Sequence, residues 1–265
     1  MITAVAQIDS QPDRAANLAR CEEVFASAAE REVDLLVLPE NVLYRGLEEG
    51  FRASASRMPG LVTELLGALS RRTGIAAVWG GVVEETDAGL YNTALLFDRE
   101  GVLQARYRKM HLFALYDGDV ARFEEHSLFE HGTELVVAPL FDHVLGMSIC
   151  YDVRFPELYR ELVARGADVL LVPSDFTRRT GRAHWLPLLQ ARAIENLCYV
   201  LAANQCGENQ GTGALSHGHS CIIGPWGEVV AECDGEDEGL AVAEVSLEAV
   251  QETRARIRAL EHRRL

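Results

Sequence analysis

Three residues whose types could do chemistry together stand far apart in this sequence. Glu40 follows the apolar run Leu-Leu-Val-Leu-Pro, Lys109 follows Gly-Val-Leu-Gln-Ala-Arg-Tyr-Arg, and Cys150 follows His-Val-Leu-Gly-Met-Ser-Ile. A base, a cation and a thiol suit covalent cleavage of an acyl bond. The thiol attacks, the base takes its proton, and the cation steadies the oxyanion. Each run reads as a strand, so each residue falls at a strand's C-terminal end, where sites gather in α/β sheets. Singly, each has an ordinary reading. Cysteine is among the most buried residue types, a glutamate after Leu-Pro suits a solvated loop, and a lysine near Arg106 and Arg108 suits a solvated face. The three together outweigh those readings.

The thiol also precedes a helix. Pro156 fits an early helical position, and Leu158, Leu162 and Val163 supply an apolar side. A thiol on a strand-to-helix turn lies near the positive end of the helix dipole, so its pKa is expected to fall. A nearby Lys109 would lower it further, and Glu40 could then shuttle protons.

The elements that must position these groups are legible in outline. Residues 2–8 and 34–40 read as buried strands. A helix opens at Pro12-Asp13 and runs to about Glu32, with Leu18, Val24 and Phe25 inward. A second follows Pro59-Gly60, with Leu61, Leu65, Leu66 and Leu69 at helical spacing, and Gly74 ends it. Three strands follow, separated by turns at 87–89 and 99–101. Residues 112–133 show no clean period and read as a long polar insertion. Two strands end at Cys150, and a helix spans 155–165. A strand runs to Asp175, and a helix spans about 183–197. Four strands and a charged helix over 247–265 close the chain. This is one α/β domain over 1–265, and two packed sheets suit the strand count better than one open sheet.

The chain has 265 residues, a formal charge of −15 and 48% hydrophobic residues. The acidic balance argues against nucleic acid. No apolar run reaches the roughly 18 residues a membrane span needs, and the first residues lack a basic leader. The six cysteines form no Cys-x-x-Cys pair, so neither structural zinc nor a disulfide framework is expected. A cytoplasmic protein with reduced thiols is the expectation.

The three segments resemble the signature of the nitrilase superfamily, the carbon–nitrogen hydrolases. The matching residues are Leu-Pro-Glu40, Lys109-Met-His111-Leu112-Phe113 and Cys150-Tyr-Asp-Val-Arg154-Phe-Pro-Glu157. Residues 173–185, 190–196 and 218–232 resemble later blocks of the family, so the likeness spans the chain. It implies an α-β-β-α sandwich. The Cys-Tyr-Asp form resembles the Nit group of amidases, which act on ω-amides of 2-oxo acids such as deaminated glutathione and 2-oxoglutaramate. Carbamoylase, nitrilase and a catalytically silent binding member are the alternatives.

The resemblance implies a Glu40-Lys109-Cys150 triad that hydrolyses a small-molecule amide to carboxylate and ammonia through a thioester. The backbone N–H of Tyr151 joins Lys109 as an oxyanion donor. No metal or organic cofactor is needed. A further glutamate matches Glu125, with Glu124 the neighbouring alternative. Candidate substrate contacts are Asp175, Phe176, Thr177, Arg178, Arg182 and His184, with the arginines placed on a loop. Asp175 departs from the small residue usual in the Nit group, and the 112–124 stretch differs from the usual Nit loop. His111 and the Arg192–Glu195 pair read as structural. A homodimer or higher homo-oligomer is expected.

Overall fold

The computed structural model describes residues 1–117 and 120–264. The chain opens with β1 (Ile2–Ile8), α1 (Arg14–Glu30) and β2 (Leu35–Leu38). Helices α2 (Glu48–Ser54) and α3 (Leu61–Thr73) precede a meander of β3 (Ala76–Thr86), β4 (Gly89–Phe97) and β5 (Leu103–Arg108). A small pair, β6 (Ala114–Asp117) and β7 (Val120–Glu124), stands apart from the main sheets. The next stretch holds β8 (Val137–Leu140), β9 (His143–Gly146), α4 (Pro156–Ala164), β10 (Val169–Leu171) and α5 (Arg178–Asn196). Strands β11 (Tyr199–Ala202), β12 (Asn204–Gln205), β13 (Cys221–Ile223), β14 (Val229–Glu232) and β15 (Gly239–Glu244) lead to α6 (Leu247–Arg256).

Two mixed sheets form. One runs β12-β1-β2-β3-β4-β5, with β15 also on β1, and the other runs β14-β13-β11-β10-β9-β8. Alternation along each strand explains the layering. Val5, Leu35 and Val37 enter the larger core with Leu145, Met147 and Leu171 of the other sheet. Ala4, Ala6, Leu36 and Leu38 enter a second core with Phe25 of α1 and Leu66 of α3. Helix α4 adds Leu158 and Leu162 to the larger core, and α5 adds Leu189. The expected α-β-β-α sandwich is the architecture observed. Among the described residues no helix is long and apolar enough to cross a membrane.

The topology brings the strand ends to a common place. β3 is parallel to β2, β4 reverses, and β5 reverses again, so β5 regains the direction of β2. Glu40 and Lys109 therefore emerge at the same rim. β9 and β10 are parallel, so Cys150 and Asp175 emerge together from the other sheet. The Cys150 amide donates to Pro173 O at 2.8 Å and ties those two exits.

Several expectations are corrected. On α3, Val62, Leu66 and Leu69 face inward, whereas Leu61 and Leu65 are exposed. On α1 the buried face is Asn17, Cys21, Phe25 and Ala28, leaving Leu18 and Val24 only partly covered. Asp13 caps α1, and Gly74, at φ 69°, closes α3 as read. The 112–133 stretch contains the β6–β7 pair and a 3₁₀ turn at Glu125–Ser127; positions 118 and 119 lie outside the described residues. The pairing of β9 stops at Gly146, short of Cys150. Helix α5 begins at Arg178 rather than near 183, because Thr177 accepts a hydrogen bond from Thr180 N and caps it early. The last helix ends at Arg256. Helix α2 carries no buried residue, so it left no apolar stripe to read.

Candidate active site

Glu40, Lys109, Glu125 and Cys150 converge, and all four are buried. Lys109 Nζ donates to Glu40 Oε1 at 2.8 Å and to Glu125 Oε1 and Oε2 at 2.9 and 2.8 Å. Glu125 reaches Lys109 from its 3₁₀ turn, held by Phe113 N to Glu125 Oε2 at 2.7 Å and Glu125 N to Phe113 O at 2.9 Å. Its neighbour Glu124 points elsewhere, with a carboxylate oxygen 3.6 Å from His126 Nε2. Glu40 Oε1 also accepts Asn92 Nδ2 at 2.9 Å, and Oε2 accepts the Asp175 amide at 3.0 Å.

The charges follow from this crowding. Burial works against the Lys109 ammonium, but Glu125 and then Glu40 outweigh it and hold its pKa well above the ordinary lysine value. Two carboxylates share one ammonium, so burial still raises Glu125 despite Lys109. The Cys150 thiol departs from the sequence expectation. Burial, then Glu40, pushes its pKa well up, and the opposing pull of Lys109 does not overcome them. Helix α4 also begins six residues later, with the 3₁₀ turn Cys150–Arg154 between. These surroundings favour the neutral form of the Cys150 thiol. The residue sits at φ 47°, the left-handed region that L-residues rarely adopt. The Tyr151 amide is the next N–H along, in the first turn of the 3₁₀ segment.

Asp152 holds the lysine and cysteine segments together and is fully buried. Its Oδ2 accepts Tyr107 Oη at 2.7 Å and Ile149 N at 2.9 Å. Its Oδ1 accepts His111 N at 3.0 Å and lies 2.7 Å from His111 Nδ1. His111 stacks on Phe155 with ring centroids 3.7 Å apart, a structural placement. Arg192 pairs with Glu195 at 2.8 Å and donates to Val153 O at 2.9 Å, tying α5 to the turn after the thiol.

A cavity of about 360 Å³ opens onto Glu40, Glu125 and Cys150. Phe51, Phe113, Tyr151 and Phe176 form apolar walls, with Arg154 and Thr180 among the polar ones. Asp175, Phe176 and Thr177 line it, as the sequence suggested. Arg178, Arg182 and His184 do not. The early start of α5 puts them on a helix: Arg178 lies 3.6 Å from Glu236, and Arg182 and His184 are exposed. His184 Nδ1 instead meets Arg154 Nη1 at 3.2 Å, and Trp185 packs behind Phe176. Asp175 is paired with an unforeseen loop arginine. Buried Arg45 Nε lies 3.3 Å from its Oδ2, and Arg45 Nη1 is 2.9 Å from Asp9. Arg154 was visible within the cysteine motif, but Arg45 and Asn92 carry no sequence signal of a site.

The fold, the converging acid–lysine–thiol cluster and the family comparison define one class. The chain belongs to the carbon–nitrogen hydrolase family, whose model matches residues 2–255. It is a hydrolase of carbon–nitrogen bonds other than peptide bonds. It is 39% identical over 270 residues to deaminated glutathione amidase of Synechocystis sp. PCC 6803, covering 99% of this chain and 97% of the relative. The crystal structure of the Caenorhabditis elegans NitFhit protein superposes with a TM-score of 0.88 at 36% identity over 99% of this chain. The present chain spans 65% of that longer fusion protein. An amidase of Nesterenkonia sp. AN1, solved with acrylamide added at its active site cysteine, gives a TM-score of 0.80 at 29% identity, covering 97% of this chain and 98% of that one.

Proposed function

We propose that the protein hydrolyses an ω-amide of a 2-oxo acid, with deaminated glutathione as the leading substrate. One observation carries the substrate class. Arg154 stands on the cavity wall beside Cys150, its guanidinium 5.7 Å from the Tyr151 ring centroid and 5.4 Å from that of Phe176. A guanidinium held between rings suits the carboxylate of a 2-oxo acid. The likeness to deaminated glutathione amidases supports the same choice. 2-Oxoglutaramate carries the same acyl half and is the second candidate.

The chemistry follows from the cluster. Cys150 Sγ bonds to the amide carbon as Glu40 takes the thiol proton. Lys109 and the Tyr151 N–H face the oxyanion, a term worth about 3–4 kcal/mol per donor. The C–N bond breaks as Glu40 passes its proton to the leaving nitrogen. Ammonia leaves from a primary amide, and a peptide amine leaves from deaminated glutathione. Water then attacks the thioester, Glu40 takes its proton, and the C–S bond breaks with the proton returned to sulfur. Glu125 anchors Lys109 throughout. The adduct at the cysteine of the Nesterenkonia amidase supports Cys150 as nucleophile. This reading takes residues 1–265 as one catalytic domain, working as a homodimer without a cofactor. Six unpaired cysteines suit a reducing, cytoplasmic setting.

A substrate panel tests it. Deaminated glutathione and 2-oxoglutaramate are expected to give the highest kcat/KM, ahead of aliphatic amides, a nitrile and an N-carbamoyl amino acid. Arg154→Met is expected to raise KM for the 2-oxo amides roughly 10- to 100-fold, as a lost charged hydrogen bond does, with a smaller change in kcat. Inert 2-oxo amides beside a rapidly cleaved nitrile or carbamoyl compound would refute the assignment.

A further inference from the structure

We propose that Asn92 is a positioning residue for the base, fixing the Glu40 carboxylate beside the Lys109 ammonium and thereby supporting kcat rather than substrate binding. This rests on the reading of Glu40 as the base. Asn92 lies on β4 and is 3% exposed. Its side chain and backbone act on different members of the cluster. Asn92 Nδ2 donates to Glu40 Oε1 at 2.9 Å, the oxygen that also accepts Lys109 Nζ. Its carbonyl accepts the Lys109 amide at 2.8 Å. One residue therefore sets where both the base and the cation stand.

Two features say that this amide is kept for Glu40 and not for packing. Its Oδ1 is buried and has no hydrogen-bond partner, a cost an apolar side chain there would avoid. Turning the amide over does not help, because Oδ1 would then face a carboxylate oxygen, acceptor against acceptor. Space is also cleared for it. The β3–β4 register shifts between Trp79 and Val82, and Gly81 takes φ 75°. A Cβ on Gly81 would lie 2.6 Å from Asn92 Oδ1 and 3.0 Å from Glu40 Cγ. The bulge admits both side chains to the same small volume.

The electrostatic need is plain from the neighbours. The titratable and charged groups around Glu40 are Lys109, Glu125, Cys150 and Asp175, with Arg45 beyond Asp175. Glu125 engages the ammonium with both of its oxygens, and Glu40 with one. Neutral donors from Asn92 and the Asp175 amide make up the difference. A buried carboxylate that loses such a donor is left with an unsatisfied oxygen and is no longer held in place.

The test is kcat and KM for wild type, Asn92→Ala, Asn92→Asp and Glu40→Gln, with thermal melting as the fold control. Asn92→Ala is expected to lower kcat roughly tenfold. KM is expected to stay within about threefold, since Asn92 does not line the cavity. Asn92→Asp keeps the shape but sets a like charge against Glu40, so its kcat falls as well. It carries the test if the alanine variant fails to fold. A purely structural residue would lower the yield of folded protein and leave kcat per folded molecule unchanged. An unchanged kcat in the folded variants with Glu40→Gln inactive overturns the inference and spares the base reading. An active Glu40→Gln overturns the base reading itself.

Discussion

Cys150→Ala is expected to abolish turnover, by a factor on the order of 10⁴ or more, while the melting temperature moves by only a few degrees. The first part follows from the proposed covalent route, since among the described residues no other thiol borders the cavity. The second follows from the backbone. Cys150 sits at φ 47°, which costs an L-residue roughly 1–2 kcal/mol, and alanine bears the same cost as cysteine. Cys150→Gly relieves it, so that variant is expected to be inactive and no less stable than the alanine one. Alkylation gives a direct readout in the wild type. Cys21, Cys198, Cys206 and Cys221 are sealed at 0–1% exposure, whereas Cys150 opens onto the cavity that Glu40 also lines. Mass spectrometry of iodoacetamide-treated protein is expected to find Cys150 labelled first and half-buried Cys233 next. Turnover by Cys150→Ala within tenfold of wild type is incompatible with this nucleophile.

Lys109→Met is expected to stop catalysis and to destabilise the fold together. Lys109 is 1% exposed, and among the described residues its side-chain partners are the two carboxylates. Removing it strands two buried negative charges, a loss typically of about 3–5 kcal/mol. The sign of the pH dependence is fixed by Glu125. Burial already raises its pKa with Lys109 present, and losing that cation raises it further. A carboxyl with a raised folded pKa holds its proton better folded than unfolded. Its relative stabilisation is full below the unfolded value and is lost as pH climbs through the folded one. The stability gap between Lys109→Met and wild type is therefore expected to be smaller near pH 5 than near pH 8, measured by urea denaturation. A gap that widens on acidification would contradict the placement of the charges.

Much of this site was legible because its groups follow strands whose apolar runs are unmistakable. Leu35–Leu38 is buried on both faces, so Glu40 had to stand at a strand exit. What the sequence concealed depends on side chains meeting across the fold. Asn92 lies mid-strand between Tyr91 and Thr93, and Arg45 lies in a loop with no periodicity, so their roles exist only once the strands are placed. The thiol was misjudged in direction because a helix dipole can be read from a proline, whereas burial beside two carboxylates cannot. The arginines at 178 and 182 were misplaced because one capping threonine starts α5 about five residues early. Helical spacing likewise picked out Leu61 and Leu65 on α3, yet neither faces the core.

Asp152 has a bearing on how the enzyme tolerates change. The ammonium and the thiol rise from opposite sheets, so their separation could have depended on the thickness of the sandwich. Instead, one carboxylate bonds Tyr107 and His111 on one side and Ile149 on the other, within three residues of each reactive group. The site rides on its own short frame. Repacking of the distant core can loosen or stiffen the molecule while the reacting groups keep their spacing, which frees most of the interior to vary without retuning the chemistry.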